Sequence, residues 1–166
     1  IAIASQYLLD QQKATQILVV DLDVHQGNGT AQIFQDEPRV FTFSMHGAHN
    51  YPLQKETSDL DIPLQDGTDD GTYLKLLDSQ LSSLLDTVQP NFIFFQSGVD
   101  VLKTDKLGRL GLSLEGCKAR DERVINAAKE YQIPLVASMG GGYSEDIKQI
   151  LEAHANTYRV AQETFF

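Results

Sequence analysis

The chain has 166 residues and a net charge of −10. That length suits one domain with a sizeable core, and the acidic balance argues against unaided binding to nucleic acid or to an anionic membrane surface. No apolar run approaches the ~18 residues a membrane span needs; the single cysteine, Cys117, rules out an internal disulfide and fits a reducing, cytoplasmic setting.

Apolar runs alternate with amphipathic segments along the chain. Ile1 to about Lys13 reads as a helix without a start signal. Ile17–Asp23 reads as a buried strand, and Thr30 as the cap of a short helix through Gln35. Arg39–Met45 is the next strand, His46–Ser58 a polar loop with Tyr51 in it, and Leu60–Leu64 a short strand. A turn at Asp66–Gly71 leads into a helix to about Asp86, with Tyr73, Leu74, Leu77, Leu81 and Leu84 at helical spacing. Asn91–Gln96 is a strongly apolar strand, followed by a long loop from Ser97 to Leu112. Ser113 opens a helix to about Tyr131, and Pro134–Ser138 is a strand. After the Gly140-Gly-Gly-Tyr143 loop, Ser144 starts one helix and Asn156 caps a last one through Phe165.

Strands alternating with helices predict an α/β fold: a parallel sheet of about five strands with helices on both faces, in one domain over residues 1–166. Ligands of such sheets bind beyond the carboxyl ends of the strands. The unusual residues lie there: Asp21, Asp23 and His25 after one strand, Ser97-Gly-Val-Asp100 after another, and Gly140–Tyr143 after a third.

Asp21, Asp23 and His25 occupy alternate positions, so a continuing strand would turn all three side chains to one face. Three polar groups at the end of a buried strand are costly without a partner. A divalent metal suits two carboxylates and an imidazole; helix capping and phosphate binding are the other readings of such a segment. Gly140–Gly142 taken alone also fits a phosphate-binding turn, though without the GxGxxG spacing or a P-loop lysine. The remaining candidates read as structural. His46 and His49 are expected to be solvated or at a rim, His154 to suit a helix end, and Asp105 with Arg109 to form a surface pair. Ser44 and Ser97 carry no nucleophile signature.

Together, Asp21-Leu-Asp-Val-His25 with Gly27-Asn-Gly-Thr30, Ser97-Gly-Val-Asp100 and Gly140-Gly-Gly-Tyr143 resemble the histone deacetylase family in order and spacing, over nearly the whole chain. Its bacterial acetoin-utilisation and acetylpolyamine deacetylases belong to the same family. His46–Asp61 and Asp105–Gly111 are most similar to the class IV-like bacterial members. The resemblance implies an arginase/deacetylase-like three-layer fold and a zinc-dependent amidohydrolase, with iron as the alternative metal. The enzyme would remove acetyl or other acyl groups from lysine-like amines. Asp23, His25 and Asp100 would hold the metal, and Tyr143 would donate a hydrogen bond to the developing oxyanion. Tyr51 and Gly141 would line the acyl-lysine tunnel. A potassium site would map to Asp21, Ser44 and the backbone oxygens of Asp23, His25 and Met45.

One departure stands out. The family's general base is a pair of adjacent histidines upstream of the first motif, and this chain contains none; its first histidine is His25. Asp21 and Asn28 match the residues that orient that pair. The expectation is therefore the C-terminal portion of a deacetylase catalytic domain, inactive by itself, with the strand at Pro134–Ser138 on an exposed edge. The rival readings are a noncatalytic metal-binding module and an arginase-like two-metal hydrolase. The latter wants an Asp-x-His-x-Asp order and a second carboxylate pair where this chain offers the lone Asp100.

Overall fold

The computed structural model describes residues 1–166. Five strands, β1 (Ile17–Asp21), β2 (Val40–Gly47), β3 (Leu60–Leu64), β4 (Phe92–Gly98) and β5 (Leu135–Gly140), form a single sheet in the order β3-β2-β1-β4-β5. Every pairing is parallel. The central strand β1 is buried along its whole length, which is why it reads as an unbroken apolar run.

Alternate residues of β1 feed two separate cores, as a period of two demands. Leu18 and Val20 join Phe43, Ile93 and Phe95 in the larger core, beneath α3 (Asp70–Val88) and α4 (Leu114–Glu130). Ile17 and Val19 join Val40 and Phe94 on the opposite face, with Leu9 of α1 (Ala2–Asp10) and Phe34 of α2 (Asn28–Phe34). The stripe Tyr73, Leu77, Leu81 and Leu84 is the buried face of α3. Cys117 is buried in α4. No helix is long and apolar enough to cross a membrane.

Several boundaries differ from the sequence expectation, each for a local reason. The first strand stops at Asp21, two residues early. There the Asp21 carboxylate accepts from Asp23 N–H at 3.2 Å and the Asp23 carboxylate accepts from His25 N–H at 2.9 Å. Side chains thus take over from the ladder, and the three residues do not share a strand face. Thr30 lies inside α2, which begins one turn earlier after Gly27. The second strand runs on through His46, which is buried rather than solvated. At the C-terminus one helix, α5 (Ile147–Phe165), replaces the two expected. Its cap is Asp146, accepting from Lys148 N–H at 3.0 Å, while Asn156 sits mid-helix and accepts from Arg159. His154 is likewise mid-helix and buried, not at an end. The edge strand β5 leaves Val136 and Met139 exposed.

Candidate metal centre

The carboxyl ends of β1 and β4 are neighbours in the sheet, with β5 beyond β4. The segments that follow them converge. Asp23, His25 and Asp100 bring their donor atoms within 4.8 Å of one another. His25 Nδ1 lies 3.0 Å from Asp23 Oδ1 and 3.2 Å from Asp100 Oδ2. Asp100 Oδ1 accepts from Val24 N–H at 3.0 Å, which locks its second oxygen toward the other two residues. That oxygen, Oδ2, is buried and lacks a hydrogen bond of proper geometry. The site is graded in exposure: the Asp100 side chain is 1% exposed, Asp23 14% and His25 27%. It is closed at the bottom and open at the mouth.

Electrostatics follow from this crowding. The carboxylates of Asp100 and Asp23 push His25 up to about 10, against the opposing effect of its partial burial. Burial raises Asp100, with Asp23 adding like-charge repulsion. The donor set of two carboxylates and one imidazole nitrogen suits a divalent ion. Zinc bonds of ~2.0–2.2 Å in a tetrahedron separate donors by about 3.3–3.6 Å, close to the spacings seen. The residues present fit a metal, and the buried Asp100 Oδ2, which has an ion-pair contact to His25 but no well-formed hydrogen bond, is the atom that most requires one.

Glycines shape the walls. A Cβ at Gly98 would collide with the Asp23 side chain and Cα, and one at Gly141 with the Asp100 carboxylate. Gly141 also has φ +62°, a left-handed conformation that costs other residues ~1–2 kcal/mol. Gly141→Ala is therefore expected to weaken metal binding at least tenfold in a metal titration. Gly29→Ala should leave it unchanged, because a Cβ there meets nothing within 4 Å.

Asp21 is adjacent to the cluster but not part of it. Burial, reinforced by the Asp23 charge, pushes its carboxyl up to about 8. In register it faces Ser44 on β2, and both are buried, as is Met45. Asn28 is half-buried in the first turn of α2. Tyr51 is exposed in the loop after β2. Tyr143 is half-exposed, two residues beyond the glycine that abuts Asp100.

Two contributors have no role at the site in the sequence reading. Arg120 of α4 is fully buried. Its Nη1 donates to the carbonyls of Leu22, at 3.1 Å, and Gly98. These carbonyls lie just ahead of Asp23 and Asp100, so one guanidinium ties together the two segments carrying the carboxylates. Asp121 accepts from Arg120 Nε at 2.8 Å and from Thr157 Oγ1 at 2.7 Å. A signal for both existed in the sequence. They fall on the same helical stripe as Cys117, Val124, Ile125 and Ala128, all buried. The other contributor is Asp105. It does not pair with Arg109, which instead reaches Asp66 at 3.3 Å. Its carboxylate accepts backbone N–H groups, including that of Tyr143.

The histone deacetylase domain matches residues 1–158. The chain belongs to the histone deacetylase family. It is 42% identical to an uncharacterized protein of Picosynechococcus sp. over 99% of this chain and 55% of that protein. To histone deacetylase 2 of Arabidopsis thaliana it is 32% identical, over 84% of this chain and 37% of that one. The structure of an acetylpolyamine aminohydrolase from Burkholderia pseudomallei aligns with a TM-score of 0.77 at 24% identity, covering 96% of this chain and 48% of that one. The shared architecture is thus the three-layer fold of deacetylases, and the chain spans about half the length or less of the curated relatives it matches.

Proposed function

We propose that the site serves a zinc-dependent amidohydrolase that removes acetyl or other acyl groups from lysine-like amines. The observation that supports this most is the buried Asp100 Oδ2, without a hydrogen bond of proper geometry and 3.2 Å from His25 Nδ1, beside the glycine loop that carries Tyr143. Asp23, His25 and Asp100 would hold the ion, with Fe2+ as the alternative. Bound there, it supplies Lewis-acid polarisation of an amide carbonyl and acidifies water. Tyr143 donates its phenol hydrogen bond to the oxygen on which negative charge grows, which is where a fixed donor lowers the barrier most. The graded exposure admits substrate from the His25 side while Asp100 stays dry. The net charge of −10 weakly attracts a substrate that carries further cationic amines besides the neutral acylated one. Potassium between Asp21 and Ser44 would relieve the raised carboxyl of Asp21.

This chain alone contains no adjacent histidine pair. Its hydrolysis of an acyl-lysine is therefore expected to run slower by the ~10²–10⁴-fold that general-base help contributes. That favours the second reading, in which these residues by themselves act as a metal-binding module. The decisive measurement is deacetylation of an acetyl-lysine peptide by the intact metal-loaded protein, wild type beside Tyr143→Phe. The phenylalanine variant is expected to keep its metal and lose kcat by about 10²–10³-fold, the effect of one missing oxyanion donor. Undiminished activity would refute the role given to the phenol.

A further inference from the structure

Tyr143 follows three consecutive glycines, two of them, Gly141 and Gly142, at positive φ. Such a segment has high conformational freedom and does not hold a side chain in place unaided. The segment after β4 supplies the restraint. Asp105 Oδ1 accepts from Leu107 N–H and Gly108 N–H, each at 2.8 Å, which closes a tight turn on its own loop. Asp105 Oδ2 reaches across and accepts from Tyr143 N–H at 2.7 Å. The neighbouring residues repeat the link: Thr104 Oγ1 is 2.9 Å from Ser144 Oγ and donates to Gln149 Oε1 at 3.0 Å. The loop thus anchored also carries Asp100, five residues upstream. A Cβ at Gly108 would strike the Asp100 carbonyl oxygen, so the turn that Asp105 closes packs directly on the backbone of a metal-site residue.

We infer that Asp105 is a positioning residue for Tyr143, clamping the phenol-bearing loop to the loop that carries Asp100. This rests on the oxyanion role proposed above for Tyr143. A carboxylate accepting backbone N–H groups forms charge-assisted bonds, stronger than neutral ones, and one oxygen is given over to each loop. The two tasks can be separated chemically. Asparagine keeps a carbonyl oxygen for Leu107 and Gly108 but turns an N–H2 toward Tyr143 N–H, where two donors meet. Asp105→Asn therefore preserves the local turn and cuts only the clamp.

The test uses the intact metal-loaded protein. Asp105→Asn is expected to lower kcat about tenfold with KM within twofold and with metal content unchanged. Hydrogen–deuterium exchange should rise in the segment 140–146 and stay level in β1. In a Tyr143→Phe background the same substitution should lower kcat less than twofold further, because the clamp acts only through the phenol. An unchanged exchange rate and kcat in Asp105→Asn would overturn the clamp. So would an equal tenfold loss in the phenylalanine background, which would place the effect elsewhere. If Tyr143→Phe itself keeps full activity, the oxyanion reading fails, whereas the exchange measurement still decides whether Asp105 holds the loop.

Discussion

Asp100→Asn is expected to abolish stoichiometric metal binding while leaving the protein folded. Elemental analysis of the purified intact protein should find about one zinc or iron per wild-type chain and almost none in the variant. Asparagine retains the oxygen that accepts from Val24 N–H, so the backbone around His25 keeps its support. It loses the charge on the buried oxygen facing His25 Nδ1. A neutral amide is a poor ligand, and with it gone only Asp23 and His25 remain of the three-donor group. Affinity should fall by more than the ~10–100-fold that loss of an outer partner costs. Asp100→Ala should lose the metal too, with an added stability cost from the unpaired Val24 N–H. Equal metal in wild type and both variants would remove Asp100 from the site.

The second large effect is on stability. Arg120→Met is expected to destabilise the fold by about 3–5 kcal/mol, because it leaves the Asp121 carboxylate buried without its cation. For a domain of this size that lowers the melting temperature by roughly 6–20 °C, at ~2–4 °C per kcal/mol. Burial opposes the charge on Arg120, yet the adjacent Asp121 carboxylate holds the guanidinium firmly protonated. The substitution also frees the carbonyls of Leu22 and Gly98, so metal affinity should drop in the material that stays folded. Arg120→Met combined with Asp121→Asn should recover more than half of the lost stability. Asparagine still accepts from Thr157 and leaves no stranded charge. Thermal denaturation of the single and double variants checks both statements; a shift under ~1 kcal/mol in the single variant would show that the buried pair anchors nothing.

The strands were legible because they are short apolar runs bounded by turn residues, and all five lie where those runs occur. One side-chain cap was legible, Ser113, which accepts from Gly116 N–H at 2.9 Å, while another, Asp146, was passed over for Ser144 two residues earlier. Helix starts were not legible where the backbone begins a helix without such a cap, as at Gly27. The C-terminal helix was read as two because Asn156 looks like a cap; in the fold its side chain serves Arg159 and the helix runs through. His46 was misread as solvated because its polar neighbours suggested a loop, whereas β2 carries it into a buried strand end beside Ser44, 3.0 Å from its Nδ1.

The residues by themselves offered Asp21, Asp23 and His25 to a metal, with helix capping and phosphate binding as other uses; the three motifs resembling the histone deacetylase family narrowed the set to Asp23, His25 and Asp100. Folding decided that they meet, because β1 and β4 pair as neighbours although 70 residues of other structure intervene between Asp21 and Phe92. It also decided that Asp21 stands apart from Asp23: their carboxylates accept hydrogen bonds from the backbone N–H groups two residues on, which takes the chain off the strand. Arg120 and Asp105 acquire meaning only there. Each acts through backbone groups remote in the chain, and no local pattern encodes which carbonyl or N–H a buried side chain will reach.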